Sequence, residues 1–369
     1  MKIDMLDICY AGVFAAGLLL TVVFTAAAKR LAVRLDIMDR PKNEMHKGHK
    51  KATPLLGGFA MFTGFSVALA AGLCVLWLVP GVFEKLPAIN FTGAACRFAW
   101  IFAGGMMCVI LGLIDDIKGM KAHWKFGGQF IIALVAVLLG GVRISVFIPN
   151  EIFTVCVTVF WFMLLMNSIN FFDNMDGLAV GTVCIGMGIF AVIAALNGQF
   201  LVGGFAFLFT GVTMGFWLFN HSPASIFMGD SGSHFIGYFA AVVSASVTYF
   251  NFEGSLTKFP ILVPFFVLAL PLFDTLMVCI IRYRLGKPFW IGDHNHISHR
   301  FVRMGLSRKY AVMMVHILAL LIGLGAFPLM WGDFKIAVVM VIQILLLLLL
   351  ITVLQFKLDD NSSLTVGGE

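Results

Sequence analysis

The chain has 369 residues, of which 60% are hydrophobic and only 12% are charged. This composition excludes a soluble globular protein, because too few polar side chains remain to cover a water-exposed surface. The net charge of +6 does not indicate nucleic-acid binding, since the basic residues lie in short connections between apolar runs. The chain is therefore expected to lie in a lipid bilayer.

Eleven apolar runs are each long enough to cross the hydrocarbon layer, which takes about 20 helical residues. In chain order they are 5–28, 55–80, 95–114, 126–142, 152–170, 178–196, 200–219, 232–250, 260–281, 310–330 and 334–356. The first run is not a cleaved signal peptide, because it is long and its positive cluster follows it. The sequence predicts an all-α, polytopic membrane protein of about eleven transmembrane helices, forming one membrane-embedded domain over 1–369.

Lysine and arginine are unevenly distributed between the two sides of this arrangement. Most of them fall on the side that holds the connections 29–54, 115–125, 170–177, 220–231 and 282–309. By the positive-inside rule this side is cytoplasmic, so the N-terminus is expected outside and the C-terminus in the cytoplasm of a bacterial inner (plasma) membrane. The polar motifs fall on the same side, which predicts a cytoplasmic active face.

Asp115 and Asp116 form an adjacent acidic pair directly after the apolar run MMCVILGLI. A carboxylate at the membrane edge is costly, and the dipole at a helix C-terminus disfavours negative charge. A metal ion or a substrate proton would compensate this charge. The alternative is that the pair only caps the end of the helix.

Asn170, Asp173 and Asp176 follow at positions i, i+3 and i+6, which places them on one face if the fifth helix continues that far. Hard oxygen ligands of this kind suit Mg²⁺, whose coordination is usually completed by water and substrate phosphates. The alternative is a polar helix exit that ends at Gly177.

Asp230 lies in the motif FMGDSGS. The glycines allow close backbone approach, and the helix that follows offers N-terminal amides to an anion, so the motif favours phosphate binding. The alternative is that Asp230 is a plain N-cap. Phe227 is suited to stacking on a base or to packing, and alone it favours packing.

His294, His296, His299 and Arg300 form a cationic, hydrogen-bonding cluster in the connection 282–309. Three close histidines are able to bind zinc, but acidic or cysteine partners are lacking nearby. Simple interfacial polarity is another alternative. Phosphate contacts are the favoured interpretation.

Taken together, these motifs resemble those of the polyprenyl-phosphate N-acetylhexosamine-1-phosphate transferases. The resemblance runs from TPLLGG through LIDD, NSINFFDNMDGLAVG and NHSPASIFMGDSGS to DHNHISHRFVRMGLS, and it covers most of the chain. FMGDSGS and HRFVRMGLS are more similar to the undecaprenyl-phosphate GlcNAc-1-phosphate transferase branch, which starts O-antigen, common-antigen and teichoic-acid lipids, than to the branch that makes lipid I.

The resemblance implies that a UDP-N-acetylhexosamine and undecaprenyl phosphate react with the help of Mg²⁺, with Mn²⁺ as an alternative ion. Asp230 and Asp115 would hold the metal, and Asp115 with Asp116 would act as base on the lipid phosphate. Asp173 and Asp176 would also take part in catalysis. The residues expected to bind the substrates are Lys51, Asn170, Asp173, Asp176, Asn220, Phe227, His294, His296, His299 and Arg300.

We expect direct attack of the lipid phosphate on the sugar-linked phosphorus, with UMP as the leaving group, because this route needs fewer steps. The alternative is a covalent intermediate formed first on an aspartate. The chain departs from the family pattern at three positions. Asn174 stands where glycine is usual, Ser298 where histidine is common, and His294 where lysine is common. The exact donor sugar and the role of the histidine loop therefore stay open, with GlcNAc as the expected sugar.

Three other functions are alternatives. A lipid I-forming phospho-MurNAc-pentapeptide transferase would use the same motifs. A rhomboid-like serine protease would use Ser231 as nucleophile and needs a histidine such as His316 on a facing helix. A transporter would place carboxylates near the bilayer midplane, whereas here they gather at one interface. The sequence does not fix the oligomeric state, and a homodimer is one alternative.

Overall fold

The computed structural model describes residues 5–40, 52–78, 91–144, 150–250, 256–289 and 295–365. Fourteen α-helices account for nearly all the regular structure of these ranges, so the all-α class is confirmed. The only sheet there is a two-residue antiparallel pair, β1 (Met38–Asp39) with β2 (Thr53–Pro54). Residue contacts divide the chain into two compact units, Met1–Thr248 and Tyr249–Glu369, which we describe separately.

The first unit contains eight helices. They are α1 (Met5–Arg34), α2 (Gly57–Leu78), α3 (Phe91–Lys118), α4 (Ala122–Leu134), α5 (Glu151–Phe172), α6 (Leu178–Leu196), α7 (Phe200–Asn220) and α8 (Gly229–Ser246). A π-helical turn, Val135–Leu139, continues α4. Helix α1 packs on α2 and α7, while α6 packs on α7.

Helix α8 lies at the centre of the first unit, packed against α3 and α5. Its residues from Ser231 to Ser244 are all buried. Aromatic rings surround it, and the rings of Phe65, Phe209, Phe235 and Phe239 contact one another with centroids 5.1 to 6.1 Å apart. Because α8 is enclosed by protein on all sides, it holds polar side chains that a lipid-facing helix would expose to hydrocarbon.

The second unit contains six helices and a 3₁₀ turn, Phe259–Leu262. The helices are α9 (Val263–Val267), α10 (Ala269–Arg284), α11 (Ile297–Arg303), α12 (Arg308–Leu324), α13 (Ala326–Trp331) and α14 (Phe334–Thr365). Between Phe259–Val267 and Ala269–Arg284 the chain bends by 73°.

Nine helices in the described ranges are long and apolar enough to cross a membrane, or ten if the bent pair forms one span. Each of the eleven predicted runs contains helix, but 260–281 is divided among the 3₁₀ turn, α9 and α10, and 310–330 between α12 and α13. The run 232–250 corresponds to α8, which is not among these spans because its first turns, GDSGSH, are polar. Apolar side chains such as Leu345 and Leu349 are exposed on the surface, which fits a multi-pass membrane protein. The orientation of the termini stays a prediction.

Candidate active site

Three carboxylates and one lysine meet at one end of the first unit. Asp115 and Asp116 lie in the last turn of α3, and Asp230 lies in the first turn of α8. Lys125 extends from the first turn of α4 and places its Nζ 3.0 Å from Oδ2 of Asp115, and it also forms an ion pair with Asp230. Two predicted acidic sites, 115 residues apart in the chain, thus share one cation.

Asp116 binds the N-terminus of α8. Its Oδ1 accepts a hydrogen bond from the Asp230 amide at 2.7 Å, and its Oδ2 accepts one from the Ser231 amide at 3.1 Å. We expected these amides to face a substrate anion, but in this structure they bind a carboxylate of the chain. Unpaired amides and the positive dipole end of a helix both favour such an anion.

Two glycines allow this close approach of α3 to α8. Gly229 has φ +65°, and a Cβ at this residue would lie 2.5 Å from Oδ2 of Asp116. A Cβ on Gly112 of α3 would lie 2.3 Å from the backbone nitrogen and Cα of Ser231. Real Cβ atoms do not approach that closely, so glycine is needed at both positions.

Asn170 also binds Asp230. Its Nδ2 donates to Oδ1 of Asp230 at 2.6 Å and to the Ser233 hydroxyl at 2.9 Å. Helix α5 ends at Phe172, and Asp173 is its C-cap with ψ 58°. The expectation that the helix continues far enough to place Asn170, Asp173 and Asp176 on one face is therefore wrong.

Asp173 and Asp176 lie in the turn after α5. Burial, and then the nearby carboxylates of Asp230, Asp176 and Asp116, raise the pKa of Asp173 well above its ordinary value. A carboxyl group in this setting favours its protonated form. Oδ2 of Asp176 accepts a hydrogen bond from the Ala224 amide at 3.0 Å, which joins this turn to the loop before α8.

Asn220 and Phe227 also hold the loops together. Asn220 is buried; it accepts from the Gly177 amide at 3.1 Å and donates to the Ile226 carbonyl at 2.9 Å. The Phe227 amide donates to the Pro54 carbonyl at 2.9 Å. The TPLLGG segment is thereby attached to the FMGDSGS segment. A role of either side chain in donor binding stays a prediction.

The histidine loop belongs to the second unit. His296 is buried, and its Nδ1 lies 2.7 Å from Oδ2 of Asp274. His299 lies with its ring centroid 6.4 Å from that of His296, and the Arg300 Nε donates to the Asn295 carbonyl at 3.1 Å. Their assignment to substrate phosphates stays a prediction. Lys51 and His294, two further predicted phosphate contacts, lie outside the described residues.

Ser231, the nucleophile of the protease alternative, is fully buried in the first turn of α8. Its hydroxyl donates to the Met228 carbonyl at 3.2 Å. A serine nucleophile must be reached by substrate and activated by a base. The packing of Ser231 does not favour that alternative.

Lys125 is the functional candidate that the sequence analysis missed, because it was counted only among the basic residues that set topology. Its side chain is 17% exposed although it lies in an apolar helix. A lysine at the start of the run KFGGQFIIAL, where the chain enters the bilayer, was the available signal.

Comparisons with known proteins show the family of the chain. Residues 98–248 match the family described as glycosyl transferase family 4. The chain is 32% identical to a probable undecaprenyl-phosphate N-acetylglucosaminyl 1-phosphate transferase of Bacillus subtilis, over 86% of this chain and 84% of the relative. It is 29% identical to a decaprenyl-phosphate N-acetylglucosaminephosphotransferase of Mycolicibacterium smegmatis, over 89% of this chain and 83% of the relative.

A phospho-N-acetylmuramoyl-pentapeptide-transferase of Lactobacillus acidophilus is also 32% identical, but over only 65% of this chain and 75% of the relative. The membrane-spanning helices and these matches define a multi-pass membrane transferase of sugar phosphates. The chain belongs to glycosyl transferase family 4, within the polyprenyl-phosphate N-acetylhexosamine-1-phosphate transferases and their N-acetylglucosaminyl branch.

Proposed function

We propose that the protein transfers N-acetylglucosamine 1-phosphate from UDP-N-acetylglucosamine to undecaprenyl phosphate, releasing UMP, at the cytoplasmic face of a bacterial inner membrane. The observation that carries the proposal is the meeting of Asp115, Asp230 and Lys125 at one end of the first unit. The names of relatives that match across more than four fifths of the chain support undecaprenyl phosphate as the acceptor and N-acetylglucosamine 1-phosphate as the transferred group. The reaction would begin the lipid-linked synthesis of a surface polysaccharide.

The donor set at this site fits a magnesium ion. Asp115 and Asp230 both contact the ammonium of Lys125, so the two carboxylates lie close enough to share a cation. Both oxygens of Asp116 already accept amide hydrogen bonds, so Asp116 is the less suitable ligand. Within the described ranges no group of three or more acidic, histidine or cysteine side chains is arranged to hold a metal.

Two carboxylates without a third protein ligand suit Mg²⁺, which commonly completes its shell with water and substrate phosphates. Bound to Asp115 and Asp230, Mg²⁺ would neutralise charge on the donor diphosphate and on the departing UMP. Magnesium dependence is part of the proposal.

The side chains supply the remaining chemistry. Lys125 would offer a positive charge to the phosphates, since two anions must approach each other. Asp115 would accept the proton of the lipid phosphate, one of whose oxygens forms a bond to the sugar-linked phosphorus. The bond from that phosphorus to the UMP oxygen breaks, and the sugar remains on the lipid through a diphosphate.

The test is UMP release by purified protein in detergent with undecaprenyl phosphate and a panel of UDP-sugars that includes UDP-MurNAc-pentapeptide. We expect UDP-N-acetylglucosamine to be preferred, chelation to abolish turnover, and added Mg²⁺ to restore it. Asp115→Asn and Asp230→Asn should each lower turnover by about 1,000-fold or more. Asp36→Asn is the matched control, because Asp36 is exposed and pairs with the exposed Arg40.

Near-normal turnover in the Asp115 or Asp230 variant would contradict the proposed roles. Preference for the pentapeptide donor would identify the lipid I-forming alternative instead. Since detergent-solubilised protein has no compartments to transport between, product formation there also excludes a transporter as the source of the signal.

A further inference from the structure

Polar side chains join helices α4, α5 and α8 in two successive layers. The upper layer is the part of the active site formed by Lys125, Asn170 and Asp230, in which Asp230 contacts the other two. One helical turn away lies a lower layer that the proposed chemistry does not use. It consists of Gln129 on α4, Asn167 on α5 and His234 on α8.

The two layers have the same register along the helices. Gln129 follows Lys125 by four residues and His234 follows Asp230 by four residues, so each pair occupies one face of its helix. Lys125 contacts Asp230, and Gln129 contacts His234 at 2.6 Å. Helices α4 and α8 therefore run in the same direction here, and the lower contact repeats the upper one a turn later.

The hydrogen bonds of the lower layer have only one consistent direction. The Asp230 carbonyl can only accept, so Nδ1 of His234 carries a proton. Nε2 of His234 then accepts from the Gln129 amide nitrogen at 2.6 Å. Oε1 of Gln129 in turn accepts from Nδ2 of Asn167 at 2.7 Å. Each of these three hydrogen bonds joins a donor to an acceptor.

Gln129 and His234 are both fully buried. Burying an amide and an imidazole without hydrogen bonds would destabilise the fold, whereas a satisfied buried network is rigid and fixes one arrangement. The path ends on the backbone of Asp230. Asp116 holds the amide of Asp230 on one side, and His234 holds its carbonyl on the other.

We infer that His234, supported by Gln129 and Asn167, is a positioning residue that fixes the first turn of α8 and thereby the carboxylate of Asp230. The inference rests on the proposed function, in which Asp230 takes part in phosphate transfer. His234 acts through the Asp230 backbone and does not touch the reacting atoms. A displacement of about 1 Å at such a carboxylate lowers turnover by about 100-fold.

The decisive variant is the double substitution Gln129→Leu with His234→Leu. Replacing both partners with apolar side chains leaves neither one buried without a partner, so the fold should survive. We expect kcat for UMP release to fall by about 10- to 100-fold while KM for the UDP-sugar stays within about threefold. The single variant His234→Gln, which keeps a donor and an acceptor at this position, should retain most of the wild-type kcat.

The matched control is Trp161→Phe with Ser244→Ala. It removes a buried hydrogen bond of 2.9 Å between α5 and α8, two of the three helices that the lower layer joins, away from Asp230. We expect a comparable change in the thermal midpoint and an unchanged kcat. Equal losses of kcat in both double variants would mean that the lower layer acts only through stability, and this would overturn the inference.

A structure of the double leucine variant gives a result that does not depend on activity. In the intact chain Oδ1 of Asp230 lies 2.6 Å from Nδ2 of Asn170, and we expect this contact to break in the variant. If the contact is kept, the positioning role is overturned, whatever the activity of the wild type. If the wild type releases no UMP, that result refutes only the proposed function. If the double variant does not fold, Asn167→Ala decides, since unchanged kcat and an unchanged contact there would also refute the positioning role.

Discussion

Lys125 offers the sharpest test of the active site, because its ammonium is the only cation that contacts both Asp115 and Asp230 in the described part of the chain. The perturbation is Lys125→Met, which keeps a long side chain and removes the charge. We expect two losses: the attraction that holds the two carboxylates together, and the positive charge that meets the substrate phosphates.

The geometry around Lys125 sets the size of the loss expected in the Lys125→Met variant. At 3.0 Å, one ammonium and one carboxylate attract each other by about 5 kcal/mol at an effective dielectric constant of about 20. Desolvation offsets much of this value, since the side chains of Lys125 and Asp115 are only 17% and 11% exposed. Loss of a preorganised charge in such a site costs about 3–4 kcal/mol of transition-state stabilisation, or about 100- to 1,000-fold in kcat/KM.

The assay is UMP release in detergent, with the thermal midpoint measured on the same samples. Lys121→Met is the control, because Lys121 lies one turn earlier, is exposed and makes no side-chain cap contact with α4. It changes the net charge equally and should leave kcat/KM within about twofold. A folded Lys125→Met protein that keeps more than about a third of wild-type kcat/KM would refute the role of this lysine.

Three further substitutions test other contacts. Gly112→Ala should push α3 away from the first turn of α8 and lower kcat by about 100-fold, whereas Gly127→Ala, whose Cβ would meet nothing within 4 Å, should leave activity unchanged. Asp116→Asn turns an amide group towards a backbone N–H, so it should lower the free energy of unfolding by about 1–3 kcal/mol together with activity. Asp274→Asn disturbs both the His296 contact and the Ile297 amide contact at 2.7 Å and should cost about 3 kcal/mol, against less than about 1 kcal/mol for the exposed helix cap Asp333→Asn.

For each of these three predictions, the activity and thermal-melting assays can give a result that contradicts it. A Gly112→Ala enzyme as active as the Gly127→Ala enzyme would show that α3 and α8 have room to separate. Loss of activity in Asp116→Asn at an unchanged thermal midpoint would favour a direct catalytic role over helix capping. Equal midpoints for the Asp274 and Asp333 variants would show that the buried pair adds little to the second unit.

The sequence predicts the helices well, because runs of about 20 apolar residues have few other stable structures. It also singles out Asp115, Asp116 and Asp230, since carboxylates at the ends of apolar runs are costly unless a cation or a hydrogen-bond donor compensates their charge. The residues that contact these carboxylates were harder to predict from the sequence. Lys125 lies 105 residues from Asp230 in the chain, and no local pattern links them.

The end of α5 and the role of Asp116 were harder to predict for a different reason. The spacing of Asn170, Asp173 and Asp176 suits a helix, but a cap at Asp173 ends it first. The side chains of Asp115 and Asp116 point in different directions, Asp115 towards Lys125 and Asp116 towards the first amides of α8. These directions depend on the packing of α3 against its neighbours. Side-chain direction across two distant helices is a tertiary property that sequence spacing does not contain.

The capping of α8 by Asp116 has a consequence for redesign of the site. Because the leading amides of that helix are already satisfied within the chain, the fixed backbone contributes little affinity for incoming anions. Under the proposed function, we expect selectivity among donors to depend on individual side chains such as Lys125 and Asn170, which can be exchanged singly while the helical scaffold is kept. Directed evolution of this protein towards other nucleotide sugars should therefore proceed through point changes and rarely need loop grafts.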